Sequence, residues 1–268
     1  MKNYDYSKTA SKYEEKMTSF QKSASGKLLK LLKIKSTDNV LDLGCGPGNV
    51  TSLIRNFTSS RILGVDPYEG MINEALKNYS NKNIEFIVNP AENICYSNEF
   101  NIVFCTSAFH WFKNPQVVIN NCYDALRIKG KIGIQCGATH NCAPLLYKGI
   151  EHIKNDPRIK PFFMHFITPW FFLDTTEEYT EFFESGGFNV TYVEIISEHN
   201  EFTLQKMLDY IKVAAAPGFL NQENYSIKID DNYIKLFLEL LKKYYEKAFD
   251  GGTLDFEAKR LFLIAEKI

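Results

Sequence analysis

No apolar run in the 268 residues approaches the roughly 20 that a membrane span needs, so no membrane partner is expected. The first thirteen residues are polar and contain no apolar segment, so neither a signal peptide nor a lipidation site is expected there. Charge of one sign is also missing: 31 Lys and Arg stand against 32 Asp and Glu, for a formal net charge of −1. Without a basic stripe there is no electrostatic case for a nucleic-acid partner. The six cysteines are scattered, mostly within apolar segments, and none forms a C-x-x-C pair. They read as small buried hydrophobes of a cytoplasmic chain. Cys136, His140 and Cys142 lie close together but match no standard zinc spacing, and no second ligand pair follows, so no metal is expected. Repeats and linker-like composition are absent as well, which favours a single domain over residues 1–268.

Hydrophobic residues make up 45% of the chain, enough for a full core. From Asp38 onward, short β-type runs alternate with helical periodicity. The runs are Val40–Leu43 and residues 61–66, 84–88, 101–106 and 131–136, followed later by 190–197 and 261–266. Helical patterns occupy residues 50–57, 71–79 and 115–126, then 175–185, 202–215 and 233–249. Strands alternating with helices of 10–15 residues build βαβ units, whose right-handed crossovers give a doubly wound, mostly parallel α/β sheet. Ligands of such sheets sit at the carboxyl ends of the strands. Residues 1–37 read as a helical cap, 38–137 as the core, and 138–174 and 198–252 as lid-like insertions. The first insertion mixes four prolines with Phe162, Phe163, Phe166 and Trp170. With Phe171 and Phe172 these aromatics suit either an apolar wall over a pocket or a buried helix face.

The densest signal is Val40-Leu41-Asp42-Leu43-Gly44-Cys45-Gly46-Pro47-Gly48-Asn49. A strand enters a glycine-rich turn that opens a helix, and glycine there permits unusual backbone angles and close approach of a ligand. The dinucleotide form of this turn, G-x-G-x-x-G, places pyrophosphate on the helix N-terminus. Here Asn49 occupies the position of the third glycine, which argues against a nicotinamide oxidoreductase. A second acid, Asp66, ends the next strand near the interval expected of a ribose-binding carboxylate.

VLDLGCGPGNVT followed by GVDPYEGMINEA resembles the first two motifs of the class I S-adenosylmethionine-dependent methyltransferases. Pro90-Ala91-Glu92, the stretch Thr106–Trp111 and the Leu126–Lys131 segment resemble the later ones, so the likeness runs over about residues 38–136. It implies a Rossmann-like fold with a seven-stranded sheet and S-adenosylmethionine as cofactor, S-adenosylhomocysteine being the product. It also implies roles for single residues. Asp42 suits the α-ammonium, while Gly44, Cys45, Gly46 and Gly48 bring backbone groups to the methionyl part. Asp66, with Pro67 after it, holds the ribose, and charge assistance strengthens those bonds. Met71 packs near the adenine, Ala91 and Glu92 reach its amine, and Thr106 offers backbone contact. The family more often has Asp-Ala where this chain has Pro90-Ala91.

Ala10-x-x-Tyr13 with Gln21, together with His110-Trp111, is similar to the carboxylate O-methyltransferases of the trans-aconitate and malonyl-carrier-protein kinds. The likeness extends to Phe109-His110-Trp111-Phe112 and to Phe202-Thr203-Leu204. Tyr13 is then expected to close over the cofactor, a plain core tyrosine being the equal alternative, and Trp111 to form a wall on the cofactor rather than fill the core. His110 is the candidate catalytic base, with an orienting role beside Trp111 as the other reading. His140 and His165 could reach a substrate, though capped or solvated roles suit them better. The expected activity is methyl transfer to a small molecule, on oxygen and in particular on a carboxylate. The alternative is a non-catalytic S-adenosylmethionine-binding sensor or partner subunit.

Overall fold

The computed structural model describes residues 19–268, with side chains from residue 23 onward; Ala10 and Tyr13 lie outside the described residues. In chain order the elements are α1 (Ser19–Leu32), β1 (Val40–Leu43), α2 (Asn49–Ile54), β2 (Ile62–Asp66), α3 (Glu69–Tyr79), β3 (Glu85–Val88) and β4 (Phe100–Thr106). There follow α4 (Pro115–Ala125), β5 (Leu126–Gly137), α5 (Pro144–Ile153), α6 (Thr176–Ser185), β6 (Phe188–Thr203), α7 (Leu204–Tyr210), α8 (Asp231–Phe249) and β7 (Thr253–Lys267). Two compact units form, one from residues 19–140, 170–196 and 260–268, the other from 141–169 and 197–259.

The first unit carries the sheet, in the order β3-β2-β1-β4-β5-β7-β6. Strands β1 to β5 pair in parallel, and β7 runs antiparallel between β5 and β6. This is the doubly wound α/β arrangement with one reversed strand. All four residues of β1 are buried, as befits a central parallel strand covered on both faces. On one face Leu41, Leu43, Val103, Cys105 and Ile134 pack with Phe109, Tyr179 and Phe183. On the other, Val40, Ile62, Phe104 and Phe262 pack with Leu28 and Leu32 of α1.

Local signals set the helix ends. Asn114 accepts the Val117 N–H at 3.3 Å ahead of Pro115, so α4 starts with a side-chain cap and a proline in its first turn. Thr175 and Glu178 form a reciprocal capping box on α6, and Gly187 follows at φ 88°. In the second unit Asp230 caps α8, whose residues Tyr233, Phe237, Leu241, Tyr245 and Phe249 recur every fourth position and are all buried.

The aromatic set of the first insertion does not act as one group. Phe163 and Phe166 stack with Phe219 in the second unit, and Phe162 lies on Tyr233. In the first unit Phe171 packs on Phe109 and Phe182, and Phe172 stacks on His110. The helix expected over 202–215 starts instead at Leu204, capped by Thr203, and passes into a π-helical turn at Ile211–Ala215. Phe202 belongs to β6, where its ring stacks on Phe256 with centroids 4.1 Å apart. Strand pairing has outbid the helical pattern there.

Candidate functional site at the carboxyl ends of the parallel strands

Strand β1 leaves the sheet at Leu43 and turns sharply. Gly44 adopts φ 69°, and a Cβ there would stand 2.3 Å from the Cβ of Ala108, so only glycine lets the two loops meet. Gly48 caps α2 at φ 83° with Phe86 and Tyr79 pressed against its missing side chain. Gly46 lies between them facing open space. Cys45 is buried with its thiol pushed well above the ordinary range by that burial, so it is a packing residue rather than a nucleophile.

Two buried acids flank this turn. Asp42, 2% exposed, accepts a 2.7 Å hydrogen bond from the Thr51 hydroxyl of α2. Asp66 ends β2 and accepts the backbone N–H groups of Gly46 and Tyr68, each at 3.0 Å. Pro67 separates Asp66 from Tyr68 and carries no N–H to compete for the carboxylate. Among the described residues neither carboxylate has an ion-pair partner. Burial pushes Asp42 up to about 7, the Thr51 bond opposing it and the charge of Asp66 adding to it. Burial likewise pushes Asp66 up to about 6 against its two backbone bonds. Beside them the Asn49 side-chain nitrogen is buried without a hydrogen-bond partner among the described residues. Two unneutralised acids and an unsatisfied donor fit a ligand that carries a cation, hydroxyl donors and an acceptor. S-adenosylmethionine has all three, in its ammonium, ribose and carboxylate.

Met71 of α3 and Ala91, in a 3₁₀ turn after β3, are both buried. Glu92 is tied elsewhere: its carboxylate accepts the Lys113 N–H at 2.9 Å and its carbonyl accepts from Asn121 at 2.9 Å. Thr106 closes β4, after which Ser107 takes φ 54° and donates its N–H to the Gln135 carbonyl at 2.7 Å. This strained step leads into the 3₁₀ turn Phe109–Trp111. Phe109 points into the core, while His110 stacks on Phe172 at 5.6 Å with a 14° tilt between the rings. Its Nδ1 is buried without a hydrogen-bond partner among the described residues. Desolvation, and then the charge of Arg260, lower its pKa to about 3. Trp111 meets Trp170 edge-on at 5.5 Å.

The geometry thus gathers Asp42, Gly44, Gly46, Gly48 and Asp66 around one turn, with His110 and Trp111 beyond Ala108 on the next strand's loop. His140 is bonded through Nδ1 to Asp174 at 2.9 Å and meets edge-on, at 6.0 Å, the Phe172 ring on which His110 stacks, and in the second unit His165 pairs with Ser226 at 3.1 Å. Thr51, Asn49, Gln135 and Arg260 were not anticipated from sequence. An oxygen-bearing residue one helical turn into α2 was a legible signal for Thr51. Arg260 had none, since it enters only through the antiparallel insertion of β7.

A family profile described as a methyltransferase domain matches residues 41–134. An uncharacterized methyltransferase of Schizosaccharomyces pombe is 30% identical over 200 residues, covering 68% of this chain and 71% of that one. The malonyl-[acyl-carrier protein] O-methyltransferase of Acetivibrio thermocellus is 24% identical over 243 residues, 88% of this chain and 85% of its own. Among solved structures, the YcgJ protein of Bacillus subtilis shares the fold with a TM-score of 0.62 at 15% identity, covering 92% and 98% of the two chains.

Proposed function

The chain belongs to the class I S-adenosylmethionine-dependent methyltransferases, and from that premise we propose that it methylates a carboxylate oxygen of a small-molecule acceptor. When bound, S-adenosylmethionine supplies a methyl group already activated by the sulfonium. In this reading Asp42 meets the cofactor's ammonium, directly or through water, and Asp66 accepts from the ribose hydroxyls with the lone pairs that Gly46 and Tyr68 leave open. Backbone groups of Gly44 to Gly48 line the methionyl part, and Asn49 donates to the cofactor's carboxylate. Met71 and Ala91 pack on the adenine. The adenine amine is met by the backbone of the Ala91–Glu92 turn, because the Glu92 carboxylate is engaged by Lys113. Thr106 and Trp111 border the transferred methyl, and Tyr13, assigned from the resemblance alone, closes over the cofactor.

One observation carries the choice of acceptor. His110, the candidate base, is stacked on Phe172 with its pKa lowered to about 3, far below the range in which an imidazole takes up a proton efficiently near neutrality. A phenol, alcohol or amine acceptor would need such a base, whereas a carboxylate is already a nucleophile. His110 then orients rather than deprotonates, and the protein contributes positioning and exclusion of water. The Acetivibrio thermocellus relative is by its name an O-methyltransferase acting on a malonyl group, which supports the same reading.

The test is methyl transfer from labelled cofactor to a panel of carboxylates, phenols, alcohols and amines. Label that mild alkali releases as methanol from a carboxylate product is the expected result. Transfer confined to phenols or amines would overturn the reading, as would tight cofactor binding without transfer to any acceptor.

A further inference from the structure

Thr51, the third residue of α2, is fully buried, and its hydroxyl donates at 2.7 Å to Oδ2 of Asp42. A helical threonine often turns its hydroxyl back to a carbonyl of its own helix. Here it crosses the glycine turn instead, tying the end of that turn on α2 to its start on β1. The Gly46 N–H, held by Asp66 Oδ2 at 3.0 Å, ties the middle of the same turn to β2. No hydrogen bond reaches Asp42 Oδ1 among the described residues, so Thr51 engages one oxygen and leaves the other for a ligand.

The surroundings of Asp42 oppose its ionisation. Burial acts first, and the charge of Asp66, at the end of β2, adds to it. Cys45 in the turn and Cys105 of β4 face Asp42 as thiols that burial keeps neutral. Among the described residues the Thr51 hydroxyl is the one group that favours the charged form, and as an uncharged donor it does so without neutralising the acid.

We propose that Thr51 is a positioning residue for S-adenosylmethionine, its hydroxyl keeping Asp42 ionised and turning the carboxylate's second oxygen towards the cofactor's ammonium. This rests on the reading above in which Asp42 meets that ammonium, whichever acceptor is methylated. It supplies what a buried acid without an ion-pair partner needs, a donor that holds its charge in place before the cation arrives. The branched Cβ of threonine restricts the side-chain torsion, so the hydroxyl is aimed at the acid before any ligand binds.

The assignment has a consequence in pH. The liganded form requires the Asp42 anion, whereas the unliganded carboxyl titrates at about 7 with Thr51 in place. Without the hydroxyl that titration moves upward, and binding must expel a proton over a wider range. Affinity rises with pH in both proteins, later in the variant, and the two converge once both carboxyls are ionised. A brace that merely held the turn together would weaken binding equally at every pH.

The test is calorimetric titration of the full chain with S-adenosylhomocysteine at about pH 7 and pH 9. Thr51→Val, near in shape and without the hydroxyl, should bind about tenfold more weakly than the wild type at pH 7, the worth of a hydrogen bond to a charged group. The deficit should shrink to within about threefold at pH 9. Ionisation of the ligand itself is common to both proteins and cancels in the ratio. Thr51→Ser, which keeps the hydroxyl, should stay within about threefold of the wild type at both pH values. A Thr51→Val deficit equal at the two pH values, or none at pH 7, overturns the assignment. If Thr51→Val does not fold, Thr51→Ala carries the same comparison, and failure of both to fold would make the contact a folding element and overturn it too. Asp42→Asn separates the two readings. Wild-type affinity in that variant would refute the ammonium role of Asp42, and this inference with it. Weakened binding there, beside a pH-independent Thr51→Val deficit, would refute the Thr51 assignment alone.

Discussion

The carboxylate of Asp66 accepts the backbone N–H of Gly46 at 3.0 Å, binding the end of β2 to the glycine turn that leaves β1. The acid proposed to hold the ribose therefore also shapes the turn proposed to hold the methionyl part. Replacing Asp66 by Ala should lower S-adenosylhomocysteine affinity by about 1.5–3 kcal/mol, the scale of a lost charged hydrogen bond. Calorimetry measures the loss, and a melting curve run beside it shows whether the turn has survived. Unchanged affinity in a folded variant would remove the ribose assignment.

Asp42 predicts a pH dependence. Its carboxyl is raised from 3.8 to about 7, so the unliganded fold is favoured by the protonated form. That contribution is complete below about pH 4 and is lost as the pH rises towards 7. An ammonium-bearing cofactor favours the ionised form and must expel the proton. S-adenosylhomocysteine should bind about tenfold more weakly at pH 5.5 than at 7.5. Titrations in two buffers of different ionisation enthalpy should show proton release near pH 6.5, and proton uptake there would exclude Asp42 as the ammonium partner.

The glycine turn separates strain from collision. Gly44 and Gly46 both have positive φ, but only at Gly44 would a Cβ strike a neighbour, Ala108 at 2.3 Å. Gly46→Ala should cost about 1–2 kcal/mol, from the left-handed backbone alone. Gly44→Ala adds an overpacking penalty of about 1–3 kcal/mol. Denaturant melts of the two variants give the ranking directly. Equal losses would show that the β1 and β4 loops yield to each other.

In the second unit Gly149 faces Tyr245, whose hydroxyl donates to the carbonyls of Leu145 and Leu146 at 3.0 and 3.1 Å. A Cβ at 149 would fall 2.3 Å from that hydroxyl. Gly149→Ala should cost about 1–3 kcal/mol through overpacking, and Tyr245→Phe about 1–2 kcal/mol through the lost bonds. The double variant should lose less than the sum by about 0.5 kcal/mol, because removing the hydroxyl takes away the nearest clashing atom and leaves the ring carbon at 2.7 Å. Additive losses in equilibrium unfolding would contradict the contact.

His110 should leave no mark on the pH profile. At saturating cofactor, kcat towards a carboxylate is expected to be flat from about pH 6 to 8.5, since a group titrating near 3 does not change state there. His110→Gln should lower kcat without altering the shape. A wild-type inflection near 7 that vanishes in the variant would restore the role of general base.

The alternation of strands with helices and the glycine turn were legible because their causes are local. Val40–Leu43 is an apolar run long enough only for a strand, and Asp42, Gly44, Gly46, Gly48 and Asp66 fall at set distances from strand ends. Phe202 was misread because helical periodicity begins just after it, and a distant ring, Phe256, decides for the strand. β6 and β7 exceed their apolar runs for the same reason. Within the second unit, polar positions such as Ser197 and His199 pair with Glu257 and Asp255, both at 2.7 Å, which no local pattern announces.

By itself the sequence determined the α/β class and the acid–glycine–acid frame, because backbone angles, strand length and cap chemistry act between residues near one another in the chain. Only the tertiary structure decided the charge state of that frame. Asp42 and Asp66 are raised, and His110 lowered, by desolvation that exists once the sheet is covered. The position of Arg260 was decided there too. A residue eight places from the C-terminus reaches the Gln135 side chain because β7 inserts antiparallel beside β5, a pairing set by packing across the whole unit.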